Sequence, residues 1–229
     1  LPIEVTEWGA SASSRDNVHD YYIMPAFLLE NLKATESGLG CMSYWTFTDI
    51  FEESGVASTP FHGGFGLINL QGIKKPAFFA FRFMRQLGDT ELANADTHSW
   101  VCRDATGGVQ VLLWDATHPT DGKVADNTYF RQIHLPATTP GAEIKLRGIP
   151  SGHYHMEIYR VGYKHNDPYT AYLEMGAPRA LSPSQTQHLK LLASGKPDEM
   201  LDISIPGSGE FTRHMPLLAD DVVLLKLIP

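Results

Sequence analysis

Residues 1–9 read LPIEVTEWG, in which Leu1, Ile3 and Val5 alternate with Pro2, Glu4 and Thr6 before the chain runs into Glu7-Trp8-Gly9. A period of two is the pattern of a strand with one buried face. Small residues, Ala10 to Ser14, follow, and Asp16 is then placed to cap a helix. Tyr21, Leu28 and Leu32 recur along that helix at helical spacing, Pro25 should start or kink its regular part, and Gly38 can close it. Residues 41–48, CMSYWTFT, are aromatic and rich in strand formers. Pro76 opens a second helix that carries Phe78, Phe79, Phe81 and Phe83 and ends at Leu87-Gly88, with Arg82 and Arg85 near its negative pole. Strand–helix–strand–helix is the repeat of a parallel sheet covered by helices. Two such units cannot close a barrel of eight, which takes about 250 residues. The first 88 residues are therefore expected to be the end of something larger.

Beyond that point the pattern changes. Residues 97–103, 109–115, 128–135, 143–148, 153–163 and 222–228 are short strand candidates separated by Gly, Pro, Asp and Asn, and Gly107-Gly108 suits a hairpin turn. Such strands predict an antiparallel β-sandwich. One helix interrupts them: Ser182 and Gln185 form a capping box, Pro183 takes the first helical position, and Leu189, Leu191 and Leu192 supply apolar surface. The boundary falls near residues 88–96, giving an α/β unit over 1–92 and an all-β unit over 93–229.

The composition is that of an ordinary globular protein, 43% hydrophobic and 19% charged over 229 residues, with a formal net charge of −8. Thinly spread cations argue against nucleic acid as a partner, because phosphate binding needs them clustered. No apolar run approaches the roughly 20 residues that span a bilayer, so no membrane partner is expected. Cys41 and Cys102 form no CxxC pair and are expected to be free core thiols. The chain opens at Leu1 in mid-pattern without a Met, so the true N-terminus is expected to lie upstream, and the compartment stays open.

Glu7 is the first candidate for chemistry. A carboxylate at the C-terminal end of a parallel strand sits where barrel enzymes place reactive groups, and its parity with Ile3 and Val5 should turn it toward the barrel axis. Taken alone, it reads first as a solvated strand-end acid. Trp45 lies at the same rim, followed by Asp49, Glu52 and Glu53 and then by Phe61-His62-Gly63-Gly64-Phe65-Gly66. An aromatic face and carboxylates are the groups that bind a pyranose ring and its hydroxyls. His62 is placed to line such a pocket or to serve the loop. The glycines lack the lysine and spacing of a phosphate loop and suit a tight turn. His153 and His155 share a strand face, but no third metal ligand accompanies them.

The strings TEWGAS (6–11), YWTFTDIFEE (44–53) and FHGGFGLINLQGIKKPAF (61–78) resemble the end of the catalytic barrel in glycoside hydrolase family 39, in its β-xylosidase branch. HNDPYTAYLEMGAPRALS (165–182) resembles that family's C-terminal β-domain. The resemblance implies the last two βα units of a (β/α)8 TIM barrel followed by the sandwich. It implies that Glu7 is the nucleophile of a retaining, exo-acting β-xylosidase, that Trp45, Glu52, Glu53 and His62 meet the sugar, and that the Trp45–Thr46 peptide bond is cis. It implies a xylo-oligosaccharide or aryl xyloside substrate and no cofactor or metal. The family's acid/base lies in an Asn-Glu dipeptide, which this sequence lacks. The chain alone is therefore expected to be inactive, its cut barrel covered by the missing half or by a homo-oligomer. An α-L-iduronidase-like member is the alternative, disfavoured because Glu52 and Glu53 would repel a uronate and only Lys74 and Lys75 are basic nearby. A non-catalytic carbohydrate-binding or assembly module is the other.

Overall fold

A computed structural model describes residues 3–51, 53–119 and 128–229. The opening alternation forms strand β1 (Glu4–Trp8), and β2 (Cys41–Tyr44) pairs with it in parallel. Between them Asp16 caps a 3-10 turn over Asn17–Asp20, its side chain accepting from the Val18 nitrogen, rather than the α-helix expected there. Helix α1 (Met24–Thr35) begins only where Pro25 can occupy its first turn. Pro76 likewise opens α2 (Pro76–Met84). The expected cis bond between Trp45 and Thr46 is present.

The parity argument for Glu7 needs correction. Val5 pairs with Met42 but Trp8 with Tyr44, so the register shifts by one residue between them. Paired residues of parallel strands share a face. Met42 accepts from the Thr35 hydroxyl on α1, Tyr44 packs on Phe81 of α2, and Trp8 packs on Phe27 of α1. Val5 and Trp8 therefore both face the helices. Glu7 lies on the opposite face, with the exposed Cys41 and Ser43, and not on the face of Val5.

The antiparallel part is a six-stranded sheet in the order β3-β4-β5-β10-β7-β8, with a separate ribbon β6-β9. Its strands are β3 (Thr90–Glu91), β4 (Ser99–Arg103), β5 (Val109–Trp114), β7 (Gly152–Val161), β8 (Glu199–Ile205) and β10 (Val222–Ile228), and the ribbon is β6 (Ala142–Leu146) with β9 (Phe211–Met215). Both faces of the sheet are buried, which explains the near-continuous apolar run VVLLKLI in β10. Trp100, Leu112, Trp114, Tyr159, Val161, Val222 and Leu224 join one core with Met24, Leu28, Phe79 and Phe83 of α1 and α2. Val111, Leu113, Met156, Ile158, Val223 and Leu225 join a second core with Ile144, Leu146 and Met215 of the ribbon.

The structure departs locally from what the sequence leads us to expect. Residues 128–135 are not a strand: Tyr129–Arg131 form a 3-10 turn whose Phe130 enters the core. Strands β8 and β9 were not anticipated, nor was helix α3 (Pro168–Glu174), which Asp167 caps by accepting from the Thr170 nitrogen. Helix α4 (Pro183–Leu192) carries the expected capping box. Cys102 is a buried free thiol, but Cys41 is exposed and so is no core residue. Among the described residues no helix is long and apolar enough to cross a membrane.

Candidate active site

The parallel strands end at a shared rim. The Trp45 nitrogen donates to the Trp8 carbonyl across it (3.0 Å), and the Thr46 nitrogen donates to the Phe65 carbonyl (3.2 Å). These bonds draw the ends of β1 and β2 and the 61–67 segment together. A hollow of about 260 Å3 opens there, lined by Glu7, Trp8, Gly9, Ser11, Ala12, Trp45, Glu53 and Phe65. Phe51 stands edge-on to Trp45, with centroids 4.9 Å apart. Among the described residues, the lining combines two carboxylates with aromatic surface and contains no Lys, Arg or His.

Of the residues singled out in the sequence, Glu7, Trp45 and Glu53 come together. Glu52 lies outside the described residues. His62 is not in this hollow; it is buried with Nδ1 3.2 Å from the Thr59 carbonyl and lines a neighbouring depression with Arg15, Asn17, Tyr169 and Tyr172. Asp49, grouped with the loop acids in the sequence, is fully buried. Lys74 rests over the Phe78 ring, and Lys75 has no exposed surface.

Beneath the rim lies a polar group that sequence reasoning missed. Lys75 Nζ donates to Asp20 Oδ1 (2.7 Å), Asp49 Oδ2 (2.8 Å) and the Gly64 carbonyl (2.9 Å). Asp20 Oδ2 accepts from the Gly63 nitrogen (2.8 Å) and from Asn17 Nδ2 (3.0 Å), and Asp49 Oδ1 accepts from the Gly66 nitrogen (2.7 Å). Burial pushes the Lys75 ammonium down, but the two carboxylates outweigh it and hold it above its ordinary value, so it stays charged. Burial pushes the Asp49 carboxyl up against the pull of Lys75. His19, packed on Phe65 with Nδ1 2.9 Å from the Gly63 carbonyl, is pushed down by burial, toward the neutral imidazole. The available signal was a lysine directly before an apolar helix, in KKPAFFAF, where a charge has no reason to sit unless paired.

Comparison with known proteins adds three findings. The family model described as "Glycosyl hydrolases family 39" matches residues 1–212. A β-xylosidase of Caldicellulosiruptor saccharolyticus is 32% identical over 232 residues, covering 99% of this chain and 44% of its own. Among solved structures, a GH39 enzyme from Xanthomonas axonopodis pv. citri superposes with a TM-score of 0.95 at 36% identity, and a monomeric β-xylosidase from Caulobacter crescentus with 0.93 at 36%. Each covers all of this chain, which spans 45% and 46% of theirs. The chain thus spans less than half the length of the proteins it matches.

Proposed function

The chain belongs to glycosyl hydrolase family 39, and from that premise we propose that it is the nucleophile-bearing part of a retaining β-xylosidase. The observation that carries this reading is the convergence of Glu7, Glu53 and Trp45 on one hollow at the C-terminal ends of parallel strands. In this reading β1-α1 and β2-α2 are the last two units of a (β/α)8 barrel, and the antiparallel sheets are the accessory sandwich. Glu7 attacks the anomeric carbon as the glycosidic bond breaks and the leaving oxygen takes a proton. Water then releases the sugar from the glutamyl ester, with net retention. Retention needs a second carboxyl about 5–5.5 Å from the first to donate that proton. We assign that group to the Asn-Glu dipeptide of the family pattern, which this sequence lacks, and hence to a part of the enzyme beyond these residues. Trp45 offers a face to the ring, and Glu53, with Glu52 by resemblance, accepts from its hydroxyls.

A lining with two glutamates and no cation suits a neutral xylosyl group rather than a uronate. With the family resemblance, this makes a short xylo-oligosaccharide or aryl xyloside the proposed substrate class. The test is Glu7→Gln in the intact enzyme, which should nearly abolish turnover while the fold persists. Azide should rescue Glu7→Gly on an activated aryl xyloside and give a glycosyl azide of inverted configuration. Rescue with retained configuration would make Glu7 the acid/base instead, and normal activity in Glu7→Gln would end its assignment.

A further inference from the structure

Gly63, Gly64 and Gly66 lie too close to their surroundings to carry side chains. A Cβ on Gly63 would sit 2.4 Å from the Asp16 carbonyl carbon, one on Gly64 2.5 Å from Asp49 Oδ1, and one on Gly66 2.3 Å from the Asp49 nitrogen. The same backbone is gripped from below at each of these residues: Gly63 by Asp20, Gly64 by Lys75 and Gly66 by Asp49. Phe65 is the one residue of the run with a side chain, and it lines the hollow with Glu7 and Trp45.

We infer that Asp20, Lys75 and Asp49 are positioning residues that fix Phe65 as an unyielding wall of the sugar site, and that this wall selects a pentopyranose over a hexopyranose. The inference rests on the glycosidase reading above. The two sugars differ by one exocyclic hydroxymethyl group. A pocket rejects an extra group of that size only if its wall cannot retreat, and such discrimination is worth roughly 10–200-fold. Directional bonds supply that stiffness. Ammonium and carboxylates define where the backbone of Gly63, Gly64 and Gly66 must lie, whereas an apolar filling of equal volume would leave it free to slide. Stability alone does not account for the group, since buried ion pairs are commonly replaced by apolar residues at no loss.

The test compares the intact enzyme with two variants. One is the neutral triple variant Asp20→Asn, Lys75→Met, Asp49→Asn, which leaves no uncompensated charge; the other is Phe65→Leu, which leaves the ionic group whole. Each should lower the ratio of kcat/KM for 4-nitrophenyl β-xyloside over 4-nitrophenyl β-glucoside by about tenfold or more. This ratio does not change with the fraction of enzyme folded, so a merely structural defect would not move it. A ratio unchanged in Phe65→Leu overturns the selectivity claim, whether or not the triple variant folds. The positioning claim has a readout that needs no turnover. With 4-fluorophenylalanine incorporated, the 19F line lost in Phe65→Leu should be single and narrow in the wild type, and broadened or split in the triple variant. An unchanged line there, or a triple variant that fails to fold while Lys75→Arg keeps both line and ratio, overturns positioning by this ionic geometry. Wild-type enzyme without β-xyloside turnover would sink the glycosidase reading and the selectivity with it, leaving the 19F line to decide positioning.

Discussion

Replacing Lys75 by Met keeps most of the side-chain length and removes only the ammonium. Nζ has no exposed surface and holds Asp20 Oδ1 at 2.7 Å and Asp49 Oδ2 at 2.8 Å. Without it the Gly63 and Gly66 nitrogens and Asn17 still donate to the carboxylates, but none of these three carries charge. Breaking a buried pair by removing one partner costs about 3–5 kcal/mol, and two carboxylates losing one cation place this case at the upper end. For a chain of this size about 1 kcal/mol moves the melting point by roughly 2–4 °C, so a fall of roughly 10–20 °C is expected. The loss should depend on pH. Burial already holds Asp49 above its ordinary value against the pull of Lys75, and removing that pull raises it further. The folded variant then binds more protons than the unfolded chain at pH values above the unfolded carboxyl pKa of about 3.9, so its stability falls as pH rises. Lys75 is itself raised, so its contribution in the wild type is full below about pH 10. The deficit should therefore be largest near pH 7–8 and shrink toward pH 4–5, measured by denaturant titration of both proteins across that range. A loss under about 1 kcal/mol at pH 7, or one independent of pH, would refute the picture of charges held in a dry site.

Three further outcomes are expected. Burial pushes the Asp167 carboxyl up to about 6 despite the bonds it accepts from Thr170 and Lys164; it therefore favours folding when protonated, and about 2 kcal/mol should be lost as pH rises from 4 to 6. Asp167→Asn should lack that slope, which should then appear in the difference between the stabilities of the two proteins across pH. Leu112→Ala in β5, a fully buried site facing α1 and α2, should cost about 3–5 kcal/mol through the cavity it leaves, as read by chemical denaturation. Glu53→Ala in the intact enzyme should remove a charge-assisted bond to a sugar hydroxyl worth about 1.5–3 kcal/mol, hence roughly 10–150-fold in kcat/KM; wild-type kinetics would reduce Glu53 to a solvated loop acid.

Much of this was legible in the residues, for physical reasons. Strong periodicity or punctuation marks β1, β7, α2 and α4, and the apolar runs of β5 and β10 identify themselves because both sheet faces are buried. β8 and β9 escaped because EMLDISI and FTRHM bury little, and their pairing is set by partners far away in sequence. At the site, Glu7 and Trp45 are announced by strand ends. Glu7 emerges away from the helices as expected, but the parity with Val5 used to expect it was false, because a one-residue register shift leaves no mark in the alternation. Nor was the split between Asp49 and Glu53: acids four residues apart differ in fate only because Lys75, 26 residues downstream of Asp49, folds under one of them.

Strand β10 comes after every other strand in chain order, yet it occupies the interior of the sheet between β5 and β7. During synthesis those two neighbours are made well before the strand that separates them. Until it arrives each presents an unpaired edge to the surroundings, Val- and Leu-rich in β5 and Tyr-containing in β7, a template for pairing with another nascent chain. Refolding yield should therefore fall with protein concentration. Loss of β10 would open the middle of the sheet, not trim its margin, and would strip side chains from both hydrophobic cores at once.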